Sequence, residues 1–265
     1  MSDKTLMIDS RWYSNQDPND LTIHLHEEIS GVEGVRIIFA GIPCTFYNIS
    51  QELGNNNLLI HDSTAWKYVN IPDGLYDSKS FDKQISVQLK VMGLHPRAIK
   101  FDVDETTGKL IFSYRKQKGN SYKISIRSYN KDMLGFDILP NTGLELPRKI
   151  RDPGNRNNFI DEEISIGDSP VNFKPFEFYH IHCDIVDTND VLYNGERSDL
   201  LVRIPVKECR FGERSVYYLT GLRDRKCDER FNKIRIWLTD EDNKPINFNG
   251  GGIQYELLFK LNPPK

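Results

Sequence analysis

The stretch 176-FEFYHIHCDIVD-187 decides how this chain is read. It is dense in Phe, Tyr, Ile and Val, residues that suit a pleated, half-buried surface, and it predicts a β-strand. Strand side chains alternate between faces, so His180 and His182 present two imidazoles on one face. Segments of the same kind lie on both sides of it. Upstream are "DLTIHLHE" (20–27), "VRIIFAGIP" (35–43), "AIKFDVD" (98–104), "KLIFSYR" (109–115) and "YKISIRS" (122–128). Downstream are "LLVRIPV" (200–206), "SVYYLTG" (215–221), "NKIRIWLTD" (232–240) and "IQYELLFKL" (253–261).

Turn chemistry separates these strands. Glu105-Thr106-Thr107-Gly108 predicts a hairpin, with Gly108 free to take the positive φ of a tight turn. "DEDNKPINFNGGG" (240–252) predicts another. One segment is helical instead: in "DSKSFDKQISVQLKVMG", Phe81, Ile85, Leu89 and Met92 recur at helical spacing behind a Ser78 cap, and Gly93 ends the run. About ten short strands with a single helix predict a mainly β chain, a jelly-roll β-sandwich with one short amphipathic helix and long loops. The middle, "LPNTGLELPRKIRDPGNRNNFIDEE" (139–163), carries three prolines and dense charge. It reads as a loop-rich insertion around 139–163 in a single domain spanning 1–265, the alternative being two β units split there.

Composition narrows the function classes. The 265 residues, 38% of them hydrophobic, suffice for one large β domain or two small ones. The formal charge is −3, with 35 basic and 38 acidic residues spread over both halves, so no basic stripe is set out for a nucleic-acid backbone. Direct nucleic-acid binding is therefore not expected. No apolar run approaches the roughly 20 residues of a membrane span, and "MSDKTLMIDSRWYSNQ" lacks the plan of a signal peptide. A cytosol-like compartment is expected, and Cys44, Cys183, Cys209 and Cys227, which form no C-x-x-C pair, read as free thiols in or near the core.

The histidine pair is the sharpest chemical lead. Two imidazoles, a third histidine and a carboxylate on a small β-barrel are how cupins hold a transition metal, and His180, His182 and Asp187 are the candidate ligands here. The pattern departs from that of cupins: the upstream glycine is missing, the carboxylate is Asp, and no histidine follows His182. His24 and His26 form a second pair that nothing in the sequence places beside the first. The expectation is no metal and no cofactor, with imidazoles satisfied within the fold. There is no G-x-S-x-G elbow, Thr107-Gly108-Lys109 lacks the glycine of a P-loop, and acid pairs such as Asp102/Asp104 and Glu162/Glu163 read as solvated turn carboxylates. The basic run 115–118 reads as a charged strand end.

The order of the segments carries a resemblance. A "P-x-T-F-Y-N-I" stretch (Pro43 to Ile49) is followed by "P-D-G-L-Y" (Pro72 to Tyr76) leading into the helix. Then come "LGF" (Leu134 to Phe136), "CDIV" (Cys183 to Val186) and "IRIWLTDEDNKPINFNG" (Ile234 to Gly250). This succession, over nearly the whole chain, resembles the penton (minor capsid) proteins of Polinton (Maverick) elements, adintoviruses and virophage-like viruses. Phe46 stands where Trp is common in that family, and Asp242-Asn243-Lys244 where Gly often occupies the middle of the turn.

The resemblance implies a structural protein and not an enzyme: a jelly-roll subunit forming homo-pentamers at the five-fold vertices of an icosahedral shell. The implied partner is the major capsid protein, with a host receptor left open. The implied location is the virion, after synthesis in the host cytoplasm or nucleus. Cys183 then lies in a core sheet strand, and His180 and His182 have no chemical duty. Ring closure uses heterologous contacts, so two different faces of each subunit must be complementary. Two other classes stay open: a cupin-like metal-dependent enzyme, and a ligand- or receptor-binding β-sandwich module. The loop 187–199 is expected to lie outside the sandwich, open to partners or solvent.

Overall fold

The computed structural model describes residues 3–61, 65–96, 99–115, 123–125, 146–152, 155–189, 192–193 and 196–262. In chain order the elements begin with β1 (Lys4–Asp9), a 3-10 turn (Ser10–Trp12), β2 (Asp20–Ser30) and β3 (Val32–Pro43). They continue with β4 (Asn57–His61), β5 (Trp66–Asn70), α1 (Ser78–Val91), β6 (Ile99–Val103), β7 (Lys109–Arg115), β8 (Lys123–Ser125), β9 (Leu146–Asp152) and β10 (Asn155–Pro170). The last group is β11 (Phe178–Cys183), β12 (Leu192–Tyr193), β13 (Glu196–Arg197), β14 (Leu200–Pro205), β15 (Arg214–Tyr218), β16 (Arg230–Thr239) and β17 (Gln254–Leu261). Two compact units result: residues 1–46 with 176–265, and residues 47–175 inserted between them in sequence.

The first unit holds two four-stranded antiparallel sheets, ordered β1-β17-β3-β15 and β14-β11-β16-β2. Numbering only the eight strands of these two sheets, the orders are 1-8-3-6 and 5-4-7-2, the interleaved double Greek key of a jelly roll. Period-two burial builds its core: along β17, Tyr255, Leu257, Phe259 and Leu261 are buried and alternate with more exposed residues. Gly31, at φ +73°, turns the chain from β2 in one sheet to β3 in the other. Phe46, Phe176, Tyr179 and Phe248 form an aromatic cluster with ring centroids 5.0–6.5 Å apart.

The inserted unit places β6-β7-β10-β9 in one sheet and β5-β4-β8 in another. Helix α1 buries Phe81, Ile85 and Leu89 in a core shared with Ile49, Leu58, Val69, Ile71, Ile99, Phe101 and Leu110. Phe81 stands edge-on to Phe101 at 5.1 Å. The helix is capped by Asp77, one residue before the expected Ser78, because Asp77 and Ser80 close a reciprocal capping box. Gly93 ends it at φ +75°. Gly108, at φ +68°, makes the β6–β7 hairpin as expected.

Of the segment 139–163, residues 146–152 and 155–163 are not loop: they lie in β9 and β10, a long antiparallel pair whose polar composition hid it. The 240–252 stretch is not a hairpin between paired strands. It reverses tightly, with Asn243 at φ 61° and Thr239 bridged to Pro245, and then crosses from β16 in one sheet to β17 in the other. Finally, Cys44 and Cys209 are joined in a disulfide, leaving Cys183 and Cys227 as free thiols. Burial pushes the Cys183 thiol far up and the Cys227 thiol up to about 12.

Candidate functional site

His180 and His182 lie on β11, an interior strand of its sheet, and both side chains are buried. Their rings are 6.3 Å apart. His182 Nδ1 lies 2.9 Å from Asp199 Oδ1, and Nε2 lies 3.0 Å from Thr239 Oγ1, so both ring nitrogens are engaged by the protein. The ring stacks on Trp237 with centroids 5.2 Å apart and planes at 7°, and the Arg235 guanidinium lies 4.9 Å from the centre of the same indole. His180 is held below its usual pKa by burial first, then by His182 and Arg203, with Glu241 and Asp240 opposing.

Asp187 does not join them: its Oδ1 accepts hydrogen bonds from the backbone and side-chain amides of Asn189. His24 and His26 are exposed on β2, which β16 separates from β11. Among the described residues, no three His, Cys, Asp or Glu side chains gather as a metal site would need. Asp102, exposed on β6, pairs with Lys100 at 2.7 Å, and Asp104, just after β6, accepts from the Thr106 and Thr107 amides of the turn. Glu162 and Glu163 lie in β10, and of the basic run 115–118 only Arg115, at the end of β7, falls within the described residues.

The geometry gathers the residues of the "PCTFYNI" stretch, where the chain passes from one unit to the next. Before the passage, the Thr45 hydroxyl donates to Phe248 O, and Asn249 Nδ2 donates to Thr45 O at 2.6 Å. This seats the "NFNGG" turn, and a Cβ on Gly251 would fall against Thr45 Oγ1 and 2.9 Å from Pro43 Cγ. Only glycine fits that approach.

After the passage, buried Asn48 is the fastening. Its Nδ2 donates to Tyr76 O at 2.7 Å and Phe173 O at 2.6 Å, and its Oδ1 accepts from Tyr76 N at 2.8 Å. Ile49 and Gly74 exchange backbone hydrogen bonds at 3.2 and 2.9 Å. The "PCTFYNI" and "PDGLY" stretches are thus two halves of one joint, which ties the start of the insertion, the entry to α1 and the end of the insertion together. The segment "LGF" (134–136) lies outside the described residues.

The surface of the first unit carries exposed apolar side chains. Across the outer face of one sheet, the register aligns Met7, Glu256, Phe39 and Tyr218. Met7 and Tyr218, on opposite edge strands, are 62% and 77% exposed. The edge of β2 is blunted: the Gln16 side chain both donates to Thr22 O at 2.9 Å and accepts from Thr22 N, standing in for a neighbouring strand.

No family model matches the chain, and no curated protein matches it in sequence. Among solved structures, the penton protein of mavirus corresponds over 98% of this chain and 100% of its own, with a TM-score of 0.50 and 10% identity. A chain in the cryo-EM structure of the Sputnik virophage corresponds over 98% of both, with a TM-score of 0.42 and 11% identity. The chain therefore shares the fold of the mavirus penton protein.

Proposed function

We propose that this chain is a penton, the minor capsid subunit of an icosahedral virus-like shell, which forms pentamers at the five-fold vertices and docks against the surrounding major capsid protein. The full-length correspondence with the mavirus penton protein carries this reading: the whole of that chain is matched. The order of the "PCTFYNI", "PDGLY" and "CDIV" stretches supports it independently, since the structure makes the first two into one joint. Both compact units then belong to one subunit, which resides in the virion after synthesis in the host cell.

The subunit acts by shape and not by chemistry. Exposed apolar side chains on opposite edges of one sheet suit the two unlike faces that a closed ring requires. The histidine pair serves the fold: His182 spends both nitrogens holding β11 to Asp199 and to β16. Shells made by co-expressing the chain with its major capsid protein, imaged by cryo-EM, test the proposal. Five copies at each vertex are expected, with open vertices when the chain is omitted. Shells with filled vertices and no bound copy of this chain would refute it.

A further inference from the structure

We propose that Cys44 and Cys209 form a redox-set clasp, open while the chain is in a thiol-reducing compartment and closed once it passes to an oxidising one. Cys44 follows β3. Cys209 lies in the 206–213 connection, which leaves β14 at the edge of one sheet and enters β15 at the edge of the other. That connection is already fastened to Cys44 without the sulfur bond: Cys44 N donates to Glu213 O at 2.8 Å, and Gly212 N donates to Cys44 O at 2.9 Å. The two thiols are therefore held together by backbone in the dithiol form, and the chain folds in either redox state.

The bond joins residues 165 apart, and the entire insertion, 47–175, lies within the loop it closes. Closing so long a loop removes much freedom from the unfolded chain, so the oxidised form is the harder to unfold. The other two cysteines stay out of the exchange. Cys183 is buried and Cys227 half-buried, and burial keeps both as thiols rather than thiolates.

The chemistry is ordinary thiol–disulfide exchange. Oxidised glutathione takes two electrons from the thiols of Cys44 and Cys209, the sulfur–sulfur bond forms, and two reduced glutathione molecules leave with the protons. In reverse, a glutathione thiolate attacks Sγ of Cys209, the half-buried member, and expels buried Cys44 as a thiolate. The hydroxyl of Ser215, 3.4 Å from Cys44 Sγ, is placed to donate a hydrogen bond to it. A second thiolate then frees Cys209 from the mixed disulfide. Reducing cytosol keeps such pairs open, and release outside a host closes them. That order, assembly when reduced and hardening afterwards, rests on the penton reading; the clasp itself does not.

The test uses the full chain equilibrated in reduced or oxidised glutathione. Alkylation after denaturation is expected to label all four cysteines in the first buffer and two in the second. Reduction should lower the unfolding midpoint of the jelly-roll unit by about 10 °C. Cys209→Ser should hold that midpoint at the reduced value in both buffers. Four labelled cysteines in oxidised glutathione, or equal midpoints in the two buffers, would overturn the clasp. Native mass spectrometry of both samples separates the two proposals. A midpoint shift without any five-subunit ring sinks the penton reading alone, and a ring without a shift sinks the clasp alone.

Discussion

The two compact units bury a sheet face in different ways. The jelly-roll unit packs sheet against sheet, and its strands come from both ends of the chain: β1 pairs with β17, and β2 with β16. The inserted unit is continuous in sequence and covers its core with one helix, whose Phe81, Ile85 and Leu89 face inward. The first is thus a structure of long-range pairings, and the second draws more on neighbours, α1 with β6 and β6 with β7. "PCTFYNI" meets "PDGLY" where the chain enters the insertion, and the "NFNG" turn seats on Thr45 just before it.

Each unit is compact by itself, and a core mutation in one is expected to spare the other. Tyr179→Ala in the jelly-roll unit and Phe81→Ala in the insertion are each expected to cost about 4 kcal/mol. Calorimetry should show only the transition of the mutated unit moving, and a single merged transition that shifts in both variants would break the comparison. Asn48→Ala is expected to lower the stability of the inserted unit by about 3 kcal/mol, because Tyr76 and Phe173 carbonyls and the Tyr76 amide lose their partner. Hydrogen exchange should report faster opening at 48, 74 and 76 with β17 unchanged.

Acid should act on the jelly-roll unit first. His180 has a native pKa below the ordinary 6.5 of an imidazole, chiefly through burial, so the unfolded chain binds the proton more readily. Stability is then full above 6.5 and is lost as pH falls from there to the depressed native value, below which the loss levels off. His180→Gln should flatten this limb of the stability profile, and a variant with the same acid response as the parent would contradict the assignment. At still lower pH, Asp9 adds to the loss. Its carboxylate is held well below the ordinary 3.8, chiefly by Arg11, so the stability it contributes fades as it is protonated. The smallest expected effect is a gain: the Tyr179 hydroxyl is buried with no hydrogen-bond partner among the described residues, and Tyr179→Phe should stabilise by about 1 kcal/mol in a denaturant titration.

Much of the jelly roll was legible because alternation is a local signal. β2, β3, β11, β14, β16 and β17 all fall on apolar, β-branched or aromatic runs. Strand β10 was not legible, since "NRNNFIDEEISIGDSP" is rich in charge and turn residues and its pairing comes from β7 and β9 on either side. Turn chemistry at 240–245 shows that the chain reverses, but not that β17 joins the opposite sheet. The spacing of His180 and His182 puts them on one face; that Asp199 and Thr239 occupy both nitrogens of His182 depends on residues 17 and 57 positions away. The clasp needed topology most of all, because only the jelly roll brings Cys209 to Cys44.

Native mass spectrometry of the purified full chain reads subunit number and bound metal together. The penton reading predicts an assembly of five times the 30.8 kDa subunit mass, free of stoichiometric metal. A stable monomer or dimer carrying one transition metal per chain would contradict it and return His180 and His182 to the role of ligands.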